Sequence, residues 1–116
     1  MSIARYGTTQ RWSEACTANG LVFLSGQLAD DTSQAFEEQL QQTFAAIERA
    51  LAMAKSDKTQ LLSATIYMKD LAHMKALNAA WDAWILSGTA PARTTVKAEM
   101  VDPQCLVEIT VTAAKL

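Results

Sequence analysis

Cys105-Leu106-Val107-Glu108-Ile109-Thr110-Val111-Thr112-Ala113-Ala114 is the stretch whose reading decides the fold. Its residues alternate. Val107, Ile109, Val111 and Ala113 fall on one face, and Leu106, Glu108, Thr110 and Thr112 on the other. That period of two marks a β-strand. The first face belongs in a core. The second mixes Thr and Glu with Leu, which is too polar for a core and too apolar for an idle surface.

Reading outward, Asp102-Pro103-Gln104 is a turn and Arg93 to Met100 is β-prone. Leu62, Ala64, Ile66 and Met68 alternate with Ser63, Thr65, Tyr67 and Lys69, a further strand. Arg11 to Leu28 reads as a hairpin around Asn19-Gly20, a strong two-residue turn signal. The apolar run Leu21-Val22-Phe23-Leu24 reads as a strand buried on both faces. Two helical stripes separate these strands. Phe36, Leu40, Phe44, Ile47 and Leu51 line one helix from Gln34 to about Ala54, with N-cap candidates in Asp30-Asp31-Thr32-Ser33. Met74, Leu77, Trp81, Trp84 and Ile85 line the other, from Leu71 to Ser87, which Gly88 and Pro91 end.

The order predicts an α+β chain: hairpin, helix, strand, helix, strand, strand. Two helices lie on one face of a mixed sheet of five or six strands, in a single domain over residues 1–116. Two helices cannot cover both faces of such a sheet. The open face is therefore expected to meet another subunit.

Composition narrows the function. Half of the 116 residues are apolar and 19% are charged, ordinary for a globular domain. A net charge of −2 offers no long-range attraction to nucleic acid or anionic lipid. Strictly apolar stretches reach only five residues, Ala50 to Ala54, far below a membrane span, and no leader peptide is expected. Cys16 and Cys105 form no CxxC, which fits a reducing, cytoplasmic setting. The single histidine, His73, excludes a multi-His metal centre. No triad spacing surrounds His73, so it reads as a helix-start residue. The cysteines read as half-buried structural thiols, Trp81 and Trp84 as core, and the Asp30-Asp31 and Glu37-Glu38 pairs as solvated helix-start charges. Asn78 lies beside the second helix stripe, able to cap a loop or reach into a cleft.

Arg93 and Glu108 differ from these. Arg93 opens a strand after the Gly88–Pro91 turn, where clefts form. Glu108 points to the open face, and a carboxylate buried there needs a cation or several donors. Arg93, on a neighbouring strand, is its natural partner. An interface salt bridge and a catalytic pair both fit this spacing.

Four segments, in order, resemble the Rid family, also called YjgF or RutC. They are Asn19-Gly20-Leu21-Val22-Phe23-Leu24-Ser25-Gly26-Gln27, Thr65-Ile66-Tyr67-Met68-Lys69-Asp70-Leu71, Ala90-Pro91-Ala92-Arg93-Thr94 and Leu106-Val107-Glu108-Ile109. Arg11-Trp12-Ser13 and Ala80-Trp81-Asp82-Ala83-Trp84 are closest to its YoaB-like branch. The resemblance implies a chorismate-mutase-like two-layer fold, a cytoplasmic homotrimer and a cleft between subunits. It implies hydrolytic deamination of 2-imino or 2-enamino acids to 2-oxo acid and ammonia, with no cofactor and no metal. Arg93 would grip the substrate carboxylate and Glu108 would position or activate water. Ser25, the Gly26 backbone N–H, Asn78 and Thr94 would lie at the substrate. Trp12 stands where RidA-type members carry a tyrosine, and the loop after Gln27 is shorter than theirs. Those differences point to a second reading, a trimer that binds small carboxylates without turnover. A third, an endoribonuclease or translation inhibitor, is opposed by the dispersed basic residues.

Overall fold

Strand β7 (Val107–Ala114) is the hub of the sheet, in the computed structural model that describes residues 1–116. Around it are β1 (Ala4–Tyr6), β2 (Ala15–Ala18), β3 (Leu21–Leu24), β4 (Gln27–Leu28), β5 (Leu61–Met68) and β6 (Ala92–Lys97). Helices α1 (Phe36–Met53) and α2 (Met74–Trp84) complete the chain. The strand order is β1-β2-β3-β7-β5-β6, with β4 also pairing with β7. Only β5 and β6 run parallel, because the connection through α2 returns the chain to the end where β5 began. This is the expected α+β layer pair, with a mixed sheet of seven strands.

The burial pattern follows the alternation of β7. Val107, Ile109, Val111 and Ala113 are buried, and the intervening residues are half-buried. The helix stripe Phe36, Leu40, Phe44, Ile47 and Leu51 is buried against the same face. Aromatic rings fasten the two helices together. Phe44 stacks on Trp84 at 4.2 Å and Trp81 meets Trp84 edge-on at 5.6 Å. The β2–β3 turn has φ of 52° at Asn19 and 77° at Gly20. Two successive left-handed residues make the twisted turn for which Asn-Gly is suited.

Several local expectations are corrected. The run Leu21–Leu24 is buried on one face only: Val22 and Leu24 are covered, but Phe23 is 46% exposed. In β5 the ladder shifts between Leu61 and Ser63, so Leu61 enters the core and Leu62 is left exposed. Helix α1 starts at Phe36, and its N-cap, Ala35, has no side-chain cap. Asp31 instead closes the preceding loop. It accepts from Gln34 Nε2, and from Ser33 Oγ and the Ser33 backbone, which hold its carboxyl below the usual range. The second helix begins as a 3₁₀ turn, Leu71–His73, capped by Asp70, and ends at Trp84 rather than Ser87. β1 forms by pairing with β2 and has no pattern of its own.

One polar side chain locks the layers. Gln39 on α1 is fully buried. Its amide nitrogen donates to the carbonyls of Thr32, Gln34 and Gln104 at 3.0, 3.0 and 3.1 Å. Its oxygen accepts the Leu106 N–H at 2.9 Å. The helix, the loop before it and the turn into β7 therefore share one amide. Gln39→Leu, although more apolar, should lower stability by at least about 1–3 kcal/mol, the cost of a stranded buried polar group. Denaturant unfolding measures this.

Candidate functional site

The site is built from what the strands leave at their ends. Glu108 sits on the open face of β7, opposite Leu28 of β4 and Tyr67 of β5. Its side chain packs on Gly26, in the bend between β3 and β4. A Cβ at Gly26 would overlap Glu108 Oε2 and lie 3.0 Å from its Cδ and 3.2 Å from its Cγ. Only glycine admits the carboxylate this closely. Glu108 forms no hydrogen bond or ion pair within the chain; the one ion pair is Arg49 with Asp30, both exposed. A cavity of about 320 Å³ borders Glu108, Tyr67, Met100 and Thr110. Gly26 also lines a groove of about 610 Å³, with Glu14, Gln27, Arg49 and Met53 along it.

Ser25 and Trp12 connect to this groove through Gln27 and Glu14, which line it. Gln27 Nε2 donates to the Ser25 carbonyl at 3.0 Å, and the Ser25 N–H donates to the Glu14 carbonyl at 3.0 Å. Trp12, in the loop between β1 and β2, is 53% exposed and gives its indole N–H to Glu14 Oε1 at 3.3 Å. Sequence reasoning did not single out Glu14. The nearest signal is its place two residues after Trp12.

Arg93 lies elsewhere. It pairs in register with the buried Ala64, so its side chain takes the helix-covered side of edge strand β6. There one guanidinium nitrogen donates to Asn78 Oδ1 at 2.9 Å, and the group lies 5.3 Å from the Trp81 ring centroid. Asn78 thus holds the Arg93 guanidinium and does not cap a loop. Thr94, the next residue, faces the open side opposite Thr65. The expected pairing of Arg93 with Glu108 from a neighbouring strand does not occur within the chain. β5 separates their strands, and the two registers place them on opposite faces. Within one chain, Glu108 lies against Gly26 on the open face, and Arg93 lies against Asn78 on the helix-covered face.

The remaining candidates take structural places. His73 stacks on Phe36 at 4.3 Å, in the turn leading into α2. Cys105 is buried and gives its thiol hydrogen to the Val107 carbonyl at 3.2 Å. Burial, above all, and the negative field of Glu108 and Asp102 push its pKa up. No three His, Cys, Asp or Glu side chains converge as metal ligands would. No helix is long and apolar enough to cross a membrane.

An α+β layer pair with one open sheet face defines the class of fold. The Endoribonuclease L-PSP family model matches residues 2–115, and the chain belongs to that family, which is also called YjgF or RutC. The chain is 38% identical over 114 residues to the RutC family protein YoaB of Escherichia coli, covering 98% of this chain and 99% of that protein. It is 37% identical over 112 residues to a RutC family protein of Haemophilus ducreyi, covering 97% and 96%. The crystal structure of a YjgF family member from Neisseria meningitidis superposes with a TM-score of 0.96 at 43% identity, covering 100% of this chain and 97% of that one.

Two outcomes follow from this geometry. Gly26→Ala should cost less than about 1 kcal/mol, because the crowded atom is the unbonded end of the Glu108 side chain, which can swing aside. Glu108→Ala should cancel most of that loss in a double-mutant cycle followed by denaturant unfolding. Cys105, kept protonated and covered, should resist thiol reagents in the native protein at pH 8. It should react fully only in denaturant, as mass spectrometry of the alkylated protein can follow.

Proposed function

We propose that this chain is a RidA-like hydrolytic deaminase of 2-imino and 2-enamino acids, acting as a cytoplasmic homotrimer with its site between subunits. The observation that carries the reading is the pair of uncommitted charges. Arg93 is held by an amide oxygen and an aromatic face but by no carboxylate. Glu108 has no cation. Each is what the other half of a small-carboxylate site lacks, and two copies of the chain can bring them together. The open face supports contact between copies, since Phe23 and Val96 are exposed on it.

The chemistry asks little more. Arg93 binds the substrate carboxylate with two parallel N–H bonds, and the Gly26 N–H and Ser25 fix its orientation. An enamine is first protonated on carbon to its iminium form. Water then adds to the iminium carbon while Glu108 accepts a proton from it, giving a tetrahedral aminol. Glu108 returns the proton to nitrogen, the C–N bond breaks, and the C=O of the 2-oxo acid forms as the hydroxyl proton passes to Glu108 and ammonia leaves, taking up that proton as ammonium. The iminium is already electrophilic, so positioning and proton transfer suffice. Asn78 lines the Arg93 side of the cleft, whereas the Thr94 side chain takes the opposite face of β6.

Trp12 favours a second reading, a trimer that binds 2-oxo acids without turnover. An indole offers a donor but no phenolic acid or acceptor, and here that donor is already used by Glu14. The test generates the imine with an amino-acid oxidase and follows its decay by semicarbazide trapping. Wild type should accelerate the decay. Arg93→Ala should lower kcat/KM by about 30-fold or more, as loss of a buried charge partner does. Glu108→Gln should lower kcat by about 100-fold. Wild type and Arg93→Ala decaying the imine equally slowly would defeat the deaminase reading. Thermal stabilisation by 2-oxo acids without turnover would then select the binding trimer.

A further inference from the structure

Resting on that reading, we infer that Glu14 is a positioning residue: its carboxylate clamps Trp12 to the Ser25–Gln27 bend, so that Trp12 offers the substrate its ring face.

Both Glu14 oxygens are engaged, each by a different segment of the chain. Oε1 accepts from Trp12 Nε1 at 3.3 Å, and Oε2 accepts from Gln27 Nε2 at 3.2 Å. Gln27 is 7% exposed, and the same amide nitrogen reaches the Ser25 carbonyl at 3.0 Å and Ser25 Oγ at 3.4 Å. The chain Trp12–Glu14–Gln27–Ser25 thus couples the β1–β2 loop to the residue beside Gly26. Glu14 is itself immobilised. Its N–H donates to the Gly7 carbonyl at 3.4 Å, and its own carbonyl accepts the Ser25 N–H at 3.0 Å. Its side-chain stem covers Gly7, where a Cβ would come 2.7 Å from Glu14 Cγ and where φ is +60°. Arg49 lines the same groove, but its guanidinium goes to Asp30 at 3.3 Å. Glu14 therefore acts as a double acceptor for neutral N–H groups and not as a counter-ion.

The consequence concerns recognition. A Trp12 free to rotate could donate its N–H to a ligand oxygen. With that hydrogen held by Glu14, its half-exposed π-face remains. An aromatic face favours planar, electron-poor or cationic groups. The substrate class is thereby narrowed to imino acids that lay the iminium itself, or a flat unsaturated side chain, against the ring.

The test combines a spectroscopic readout with kinetics. In ¹H–¹⁵N spectra, the Trp12 indole signal, assigned with Trp12→Phe, should shift in Glu14→Ala while those of Trp81 and Trp84 stay. Its hydrogen exchange should accelerate at least tenfold. Glu14→Ala should lower kcat/KM about tenfold, or weaken pyruvate binding as much if wild type binds without turnover, with little change in melting temperature. Glu14→Asp should recover part of the loss. Glu14→Ala/Trp12→Phe should be no worse than the poorer single variant. An unmoved Trp12 signal, or additive losses in the double variant, would overturn the role of Glu14. Absence of turnover in wild type would remove the deaminase reading alone, since the indole signal and pyruvate binding still decide the clamp.

Discussion

The ladder of β7 is the interaction on which the rest depends. This strand pairs with β3 through Leu21–Phe23, with β4 through Gln27 and Leu28, and with β5 over most of its length. Because β3 and β4 share it end to end, the chain must bend between them at Ser25 and Gly26. Glu108 lies beside that bend on the same strand. Sheet geometry and site geometry are thus one constraint: the break that lets two short strands share β7 also opens the space for its carboxylate.

Gln39 tightens the approach to this strand. The amide joins α1 to the turn at Gln104 and Leu106, immediately before β7 begins. A polar group with every atom satisfied specifies one arrangement, where an apolar one would allow sliding. The turn is held from the other side by Thr32 Oγ1, which donates to Asp102 Oδ2 at 2.8 Å. The position of Glu108 along the sheet is therefore fixed by a helix that packs on the opposite face.

What could be read in the sequence was local. The Asn19-Gly20 turn, both helical stripes and the alternation of β7 depend on residues within a few positions of each other, and they stand as expected. The failures were non-local. Leu62 obeys the alternation but is displaced by a slip in the ladder that only β7 defines. β1 exists because β2 lies beside it. Asp31 has the chemistry of a helix cap but closes its own loop. Arg93 and Glu108 have the right residue types, yet which strands are neighbours is a property of the whole sheet. Glu14 resembles any loop carboxylate until Trp12 and Gln27 are brought to it.

The order of the strands along the chain has a consequence for how the protein is made. β3, β4, β5 and β6 all precede β7, so Leu21 meets its partner only when Ala114 arrives. During synthesis, at about 5–20 residues per second, the hairpin and the β5–α2–β6 unit wait several seconds with no strand to join them. Their apolar faces and open edges are then shared only with α1 or with other nascent chains. Such long-range closure is slow and cooperative. A central strand that arrives late thus leaves the sheet open, and Arg93 and Glu108 without their final places, until β7 joins it.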